Sequence, residues 1–139
     1  YSRVIAREPF VLIAPPDVEG GTVESLLESH PLVLYDRGSF GGRQVVRFLE
    51  RQRLRPAIRL ELDEIDAIAR MVECGLGVAL IPLTGLWRRQ QPLPVRVISL
   101  GEQTFNRELI LVSRLSPAQS PLVALIEEAL AATGTGDVG

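Results

Sequence analysis

The segment Glu61–Pro82 reads ELDEIDAIARMVECGLGVALIP, and three independent physical signals in it agree. Asp63 is placed to cap a helix, and Glu64 and Asp66 put negative charge in the first turn, where the helix dipole favours it. Ile65, Ile68, Ala69 and Val72 follow at the spacing of one buried helical stripe. Gly75 ends the helix, Gly77 allows a second tight backbone conformation, and Val78–Ile81 is a short apolar run stopped by Pro82. The expected order is helix, glycine turn, buried strand, which is one α/β unit laid against a parallel sheet.

The same alternation continues outward. Phe10–Ile13 is a short apolar strand, and Pro15-Pro16 with Gly20-Gly21 makes a connector. Val23–Glu28 forms a short helix turn and Leu32–Tyr35 a buried strand. Val45, Phe48 and Leu49 give a helical stripe in the segment from Gly42 to Arg53. Ile58, Leu60 and Leu62 alternate with Arg59 and Glu61, the period of a strand. Val95–Leu100 and Glu108–Val112 read as two further strands. Ser120 caps and Pro121 opens a last helix with Leu122, Leu125, Ile126, Ala129 and Leu130 on one apolar face. Thr133–Gly139 has no anchoring side chains and is expected to be a disordered tail. Strand–helix–strand alternation predicts an α/β fold with mostly parallel strands.

Composition removes several kinds of chemistry. The chain has 139 residues, 46% of them apolar, and a formal net charge of −2, so it is neither disordered nor broadly basic. All fifteen basic residues are arginine, which excludes Schiff-base and P-loop lysines. One histidine, His30, and one cysteine, Cys74, leave no internal disulfide and no cluster of soft metal ligands. Cys74 reads as a small core residue at a helix end, His30 as a surface loop residue, and Trp87-Arg88-Arg89 as part of a packed connector. No apolar run approaches the roughly 20 residues of a spanning helix, and no signal segment opens the sequence. A soluble, reducing, cytoplasmic setting is expected, with no cofactor, no metal and no membrane partner.

The acidic helix start followed by Gly75–Pro82 (GLGVALIP) resembles the effector-binding domain of LysR-type transcriptional regulators. Pro31–Arg43 (PLVLYDRGSFGGR), Pro9–Pro15 (PFVLIAP) and Arg107–Arg114 (RELILVSR) with a terminal helix are similar to that family too, in the same order. The resemblance runs from Glu8 to Ala132. It implies a fold like type 2 periplasmic binding proteins, with two lobes joined by crossing strands. On that reading residues 16–112 form one complete Rossmann-like lobe two, while 1–15 and 113–132 are a remnant of lobe one and 133–139 a tail. The family's winged helix-turn-helix DNA reader, linker helix and first lobe-one units have no counterpart in this sequence. The terminal helix is therefore expected to pack on lobe two, to pack on another copy, or to be poorly ordered.

Sites in open α/β sheets lie at the carboxyl ends of the strands. Two strand-to-helix junctions are placed there: Tyr35–Arg43, whose glycines let backbone N–H groups approach a ligand, and Leu62–Ile65. By resemblance, a small effector sits between the lobes against both junctions, and Asp36, Ser39, Gly41, Asp63 and Glu64 are the effector-binding candidates. Each has a purely structural alternative: Asp63 and Ser39 as helix caps, Asp36 as a brace for the Gly38 turn. The carboxylates favour a ligand with donor groups or no net charge, unless Arg37 or Arg43 compensates them.

Arg43, Arg47 and Arg51 share one helical face, but net acidity, few aromatics and the intervening Glu50 argue for a solvated face or a dimer contact rather than a nucleic-acid patch. The resemblance implies a homodimer in which a lobe-two helix meets a lobe-one helix, and the Gly42–Arg53 helix is the candidate. Asp63, Glu64 and Asp66 cluster at a helix start without a histidine, lysine or cysteine to act with, so no catalytic residues are expected. The function implied is ligand sensing and dimerisation for a transcription regulator whose DNA contact lies in a domain outside this chain. A stand-alone solute-binding protein of the same architecture is the alternative.

Overall fold

The computed structural model describes residues 1–84 and 94–134, so the Trp87-Arg88-Arg89 connector lies outside the described residues. Its first element is also its longest strand. β1 (Ser2–Ala14) covers thirteen residues, far more than the Phe10–Ile13 core of the apolar pattern. Arg3, Arg7 and Glu8 break that pattern, yet each has a partner elsewhere in the chain: Arg7 faces Glu108 and Glu8 is paired with Arg107 on a neighbouring strand, and Arg3 is paired with Glu127. The remaining elements among the described residues are α1 (Val23–Ser29), β2 (Leu32–Tyr35), α2 (Phe40–Arg51), β3 (Ile58–Leu62), α3 (Ile65–Glu73), β4 (Ala79–Pro82), β5 (Arg96–Ser99), β6 (Asn106–Val112) and α4 (Pro121–Gly134). A 3-10 turn, Gly101–Gln103, separates β5 from β6.

Backbone contacts divide the chain into two units, with boundaries that include Pro9/Phe10 inside β1, Pro82/Leu83 at the end of β4 and Phe105/Asn106 before β6. The larger unit holds Phe10–Pro82 and the segment that ends at Phe105. In it the second half of β1 runs antiparallel to β4 on one side and to β5 on the other. β2 and β3 form a parallel pair with Tyr35 opposite Leu62. The strands are thus not mostly parallel: every pairing of β1 is antiparallel, and only the separate two-stranded β2–β3 sheet is parallel.

One glycine joins the parallel pair to the rest. Val78 donates to the Pro31 carbonyl at 2.9 Å, and Val33 donates to the Val78 carbonyl at 2.9 Å. A Cβ on Gly77 would lie 2.2 Å from that same Pro31 oxygen, and its φ of +152° is one that side chains avoid. Gly75 also has positive φ, +85°, but opens onto free space and simply ends α3. The helix stripe behaves as its spacing predicts: Ile68, Ala69 and Val72 are buried, together with Leu12, Ile13, Leu32, Val33, Leu80 and Ile81. Phe10 is fully buried and its ring stacks on Phe105 with centroids 4.3 Å apart, while Phe48 meets Phe105 at 5.3 Å. Cys74 corrects the sequence reading. It follows α3 as the capping residue and is exposed, because Val72 already occupies the inward position of the last turn.

The smaller unit takes in Tyr1–Pro9, the segment that starts at Leu83 and the chain from Asn106 onward. Here the first half of β1 pairs antiparallel with β6, from Ser2 opposite Val112 to Pro9 opposite Asn106. Glu8, 5% exposed, accepts from Arg107 Nε at 2.9 Å and from its Nη2. Removing one partner of such a buried pair costs about 3 kcal/mol, because the other charge is left uncompensated. Ser120 caps α4 through the Val123 N–H, as expected. The helix continues to Gly134, into the segment expected to be a tail; residues 135–139 lie outside the described residues. Its inward charge is Glu127, buried and accepting from the Tyr1 hydroxyl and from Arg3. Its leucine stripe stays in solvent, with Leu122 65% and Leu125 64% exposed.

Gly77→Ala should destabilise the chain by roughly 3 kcal/mol or abolish folding, whereas Gly75→Ala should cost only about 1 kcal/mol, since strain without a clash is the smaller penalty. Urea denaturation followed by circular dichroism measures both; equal losses would contradict the close approach at Pro31.

Candidate functional site

The parallel register of β2 and β3 brings two strand-to-helix junctions to one edge. With Tyr35 opposite Leu62, the two carboxyl ends lie side by side, and the Asp36 N–H donates to the Leu62 carbonyl at 2.8 Å. After β2 the chain turns through Asp36–Ser39 into α2; after β3 it bends through Asp63 and Glu64 into α3. Two helix starts, each the positive end of its dipole, therefore belong to neighbouring strand ends.

At the first junction Asp36 and Ser39 are both engaged in holding the turn. Asp36 Oδ1 accepts from the Gly38 N–H at 2.9 Å, which is the bracing role open to it from sequence. Its carbonyl accepts from both the Ser39 N–H (2.9 Å) and the Ser39 hydroxyl (2.6 Å). Ser39 Oγ in turn accepts from the Gly42 N–H at 3.0 Å, so Ser39 is the N-cap of α2. Gly41 is buried, and a Cβ there would come within 3.1 Å of the Tyr35 ring. The sharper demand falls on Gly42, where a Cβ would stand 1.7 Å from the Asp36 carbonyl oxygen. That position was missed in the sequence reading; the adjacent pair Gly41-Gly42 at a helix start was the available signal.

The second junction differs from its reading in one respect. The N-cap of α3 is Glu64, in extended conformation and without a side-chain capping bond, rather than Asp63. β3 runs through Leu62, which leaves Asp63 in the bend, and the helix starts only at Ile65. Asp63 and Glu64 are both exposed. A clamp not foreseen from sequence ties the junctions together: Glu61 accepts from the Arg37 N–H at 2.9 Å and lies 3.3 Å from its Nε. Arg43 donates to the Gly38 carbonyl at 3.2 Å. Arg37 and Arg43, with Val46, Arg47 and Glu50, line a shallow depression of about 340 Å³ on α2.

Chemically, this edge offers helix-start dipoles to ligand acceptors and the exposed carboxylates of Asp63 and Glu64 to ligand donors, with arginines close by to offset charge. Among the described residues there is no group of acidic, histidine and cysteine side chains able to hold a metal ion. His30 follows α1, where its ring nitrogen contacts Ser29 Oγ at 3.0 Å and the Leu26 carbonyl at 3.2 Å. No helix among the described residues is long and apolar enough to cross a membrane.

Ser39→Ala should lower stability by about 1 kcal/mol through loss of the cap, and Asp63→Ala should change it by under about 0.5 kcal/mol. Denaturant midpoints of the two variants check this; an equally large loss at Asp63 would mean that its carboxylate supports the fold after all.

Residues 1–134 match the family model described as the LysR substrate binding domain. No curated protein sequence matches the chain. Among solved structures, the chain is similar to the regulatory domain of CcmR from Synechocystis PCC6803 in complex with 2-PG, at 17% identity and a TM-score of 0.75, covering 99% of this chain and 68% of that one. It is also similar to the apo regulatory domain of HypT from Salmonella typhimurium, at 16% identity, TM-score 0.72 and coverage of 95% and 65%. The effector-binding domain of QuiR in complex with shikimate gives 13% identity, TM-score 0.69 and coverage of 96% and 65%. At such identities the likeness establishes the fold. The chain spans about two thirds of the length of these isolated domains.

Proposed function

Since this chain belongs to the LysR substrate-binding domain family, we propose that it is the effector-sensing and dimerisation module of a LysR-type transcriptional regulator. The family is one of effector-binding domains rather than of enzymes. The ligand site in this reading is the carboxyl edge of β2 and β3, with Asp36, Ser39, Gly41, Asp63 and Glu64 as its polar wall. Residues 16–112 are lobe two; 1–15 and 113–132 belong to lobe one. The observation that supports it most is the Asp36–Leu62 hydrogen bond, which sets two helix starts on adjacent parallel strand ends.

The five residues divide their labour. Asp36, Ser39 and Gly41 are occupied in building the first junction, so they shape the wall and orient its N–H groups. Asp63 and Glu64 are exposed and project no capping bond, which leaves their carboxylates available to a ligand hydroxyl or amine. A small molecule that binds one arrangement of the regulator better than another shifts its population and so changes DNA binding by a domain outside this chain. CcmR and QuiR domains hold 2-PG and shikimate, which makes polar organic acids the first probes for this chain.

Thermal unfolding of the chain in a panel of small organic acids and polyols, opened with shikimate and 2-PG, tests the reading. A probe at 100 times its dissociation constant should raise the melting temperature by about 9 °C. Asp63→Ala should remove that shift and Arg51→Ala should keep it; identical behaviour of the two variants would place binding elsewhere.

A further inference from the structure

The arginines of this chain are unevenly engaged. Arg3, Arg7, Arg37 and Arg107 each stand in an ion pair with a glutamate, and Arg96 holds the carbonyls of Val18 and Gly20. Arg47 has no ion pair among the described residues, and Arg43 gives one N–H to the Gly38 carbonyl without meeting a carboxylate. Both are exposed on α2 at i and i+4, where like charges face each other across one turn and oppose the helix. Glu50, three residues beyond Arg47, is paired with neither.

Position separates these two from the other unpaired arginines. Arg37, Arg43, Val46, Arg47 and Glu50 line the depression of about 340 Å³, and all five belong to the larger unit. That volume is at the lower end for small-ligand sites, roughly 300–1,000 Å³. The lining differs from the usual apolar one: Val46 is the only apolar residue, beside three guanidiniums and one carboxylate. A shallow hollow of this composition holds a ligand by charge-assisted hydrogen bonds rather than by burial. Arg37 and Arg43 are already oriented, by Glu61 at 3.3 Å and by Gly38 at 3.2 Å, so part of the side-chain ordering that binding costs is in place.

We propose that this depression is a second ligand site, for a small metabolite whose head carries at least two negative charges: a phosphate monoester or a polycarboxylate. Arg43 and Arg47 take the oxyanion head between their guanidiniums, each presenting a fork of N–H donors, and Arg37 adds a third positive charge. The hollow is larger than a bare phosphate, which leaves the organic body beside Val46. Glu50 opposes the anion, so it is the residue whose neutralisation strengthens binding. The site is separate from the β2–β3 edge and does not rest on the ligand reading made there.

Amide chemical-shift titration of the 139-residue chain with pyrophosphate and with citrate, at roughly 0.15 M salt, tests this. Binding should saturate at one site with a dissociation constant below about 1 mM, and the largest changes should fall between Arg37 and Glu50. Arg47→Gln should weaken it at least about tenfold through loss of a charge-assisted contact, and Glu50→Gln should tighten it about threefold. Arg70→Gln, at an exposed arginine of α3 outside the hollow, should leave it unchanged, as should Asp63→Ala. The tighter probe identifies the head group as phosphoryl or carboxylate. Shifts that stay linear and spread over every exposed arginine mean an adventitious ion only and overturn the proposal. Binding that survives Arg47→Gln but is lost on Asp63→Ala overturns it too, and assigns the anion to the β2–β3 edge instead.

Discussion

The contact between Gly77 and the carbonyl of Pro31 is the constraint from which the larger unit follows. The backbone of the two segments must come close enough for Val78 to donate to Pro31 and for Val33 to donate to Val78. A single methylene-sized group at position 77 would stand 2.2 Å from the oxygen and force the segments apart. Because that space is empty, β2 with its parallel neighbour β3 attaches to the β4–β1–β5 layer, and α3 closes over β2 and β4. The candidate edge lies at the far end of the same β2 strand. A fault at Gly77 therefore misplaces Asp36 and Leu62 even though neither touches it.

A second close approach works in the same manner at that far end. Gly42 leaves room for the first turn of α2 to rest on the Asp36 carbonyl, and Ser39 completes the turn by bonding both Asp36 and Gly42. The two glycines bracket one strand of four buried residues and fix how it is entered and left. Polar groups at the first junction are consumed by this geometry, whereas the second junction, with its bare cap at Glu64, is not. The asymmetry is what separates residues that shape the edge from residues free to meet a ligand.

Much of this was legible in the sequence, for reasons that differ by element. Leu32–Tyr35 and Val78–Pro82 stand out because buried strands need uninterrupted apolar runs, and α3 because its stripe and its glycine stop agree. The adjacency of the two junctions also followed, since parallel strands must release both helices at one edge. β1 was read too short because periodicity sees only its own residues, while Arg7 and Glu8 are stabilised by Glu108 and Arg107 about a hundred positions away. Asp63 looked like a cap because caps and strand-end bends favour the same residue types; a single position decided which it was. The Arg37–Glu61 clamp and the inward Glu127 involve charges paired across the fold, and no local pattern announces them.

Cys74 gives the chain a practical property. It is the one thiol in the sequence, it is exposed, and it stands at the end of the helix whose opposite end begins at the candidate edge. A maleimide fluorophore or nitroxide attached there modifies the unaltered protein at one defined point, since lysine is also absent from it. Such a probe reports on α3 without a cysteine-free background having to be engineered first.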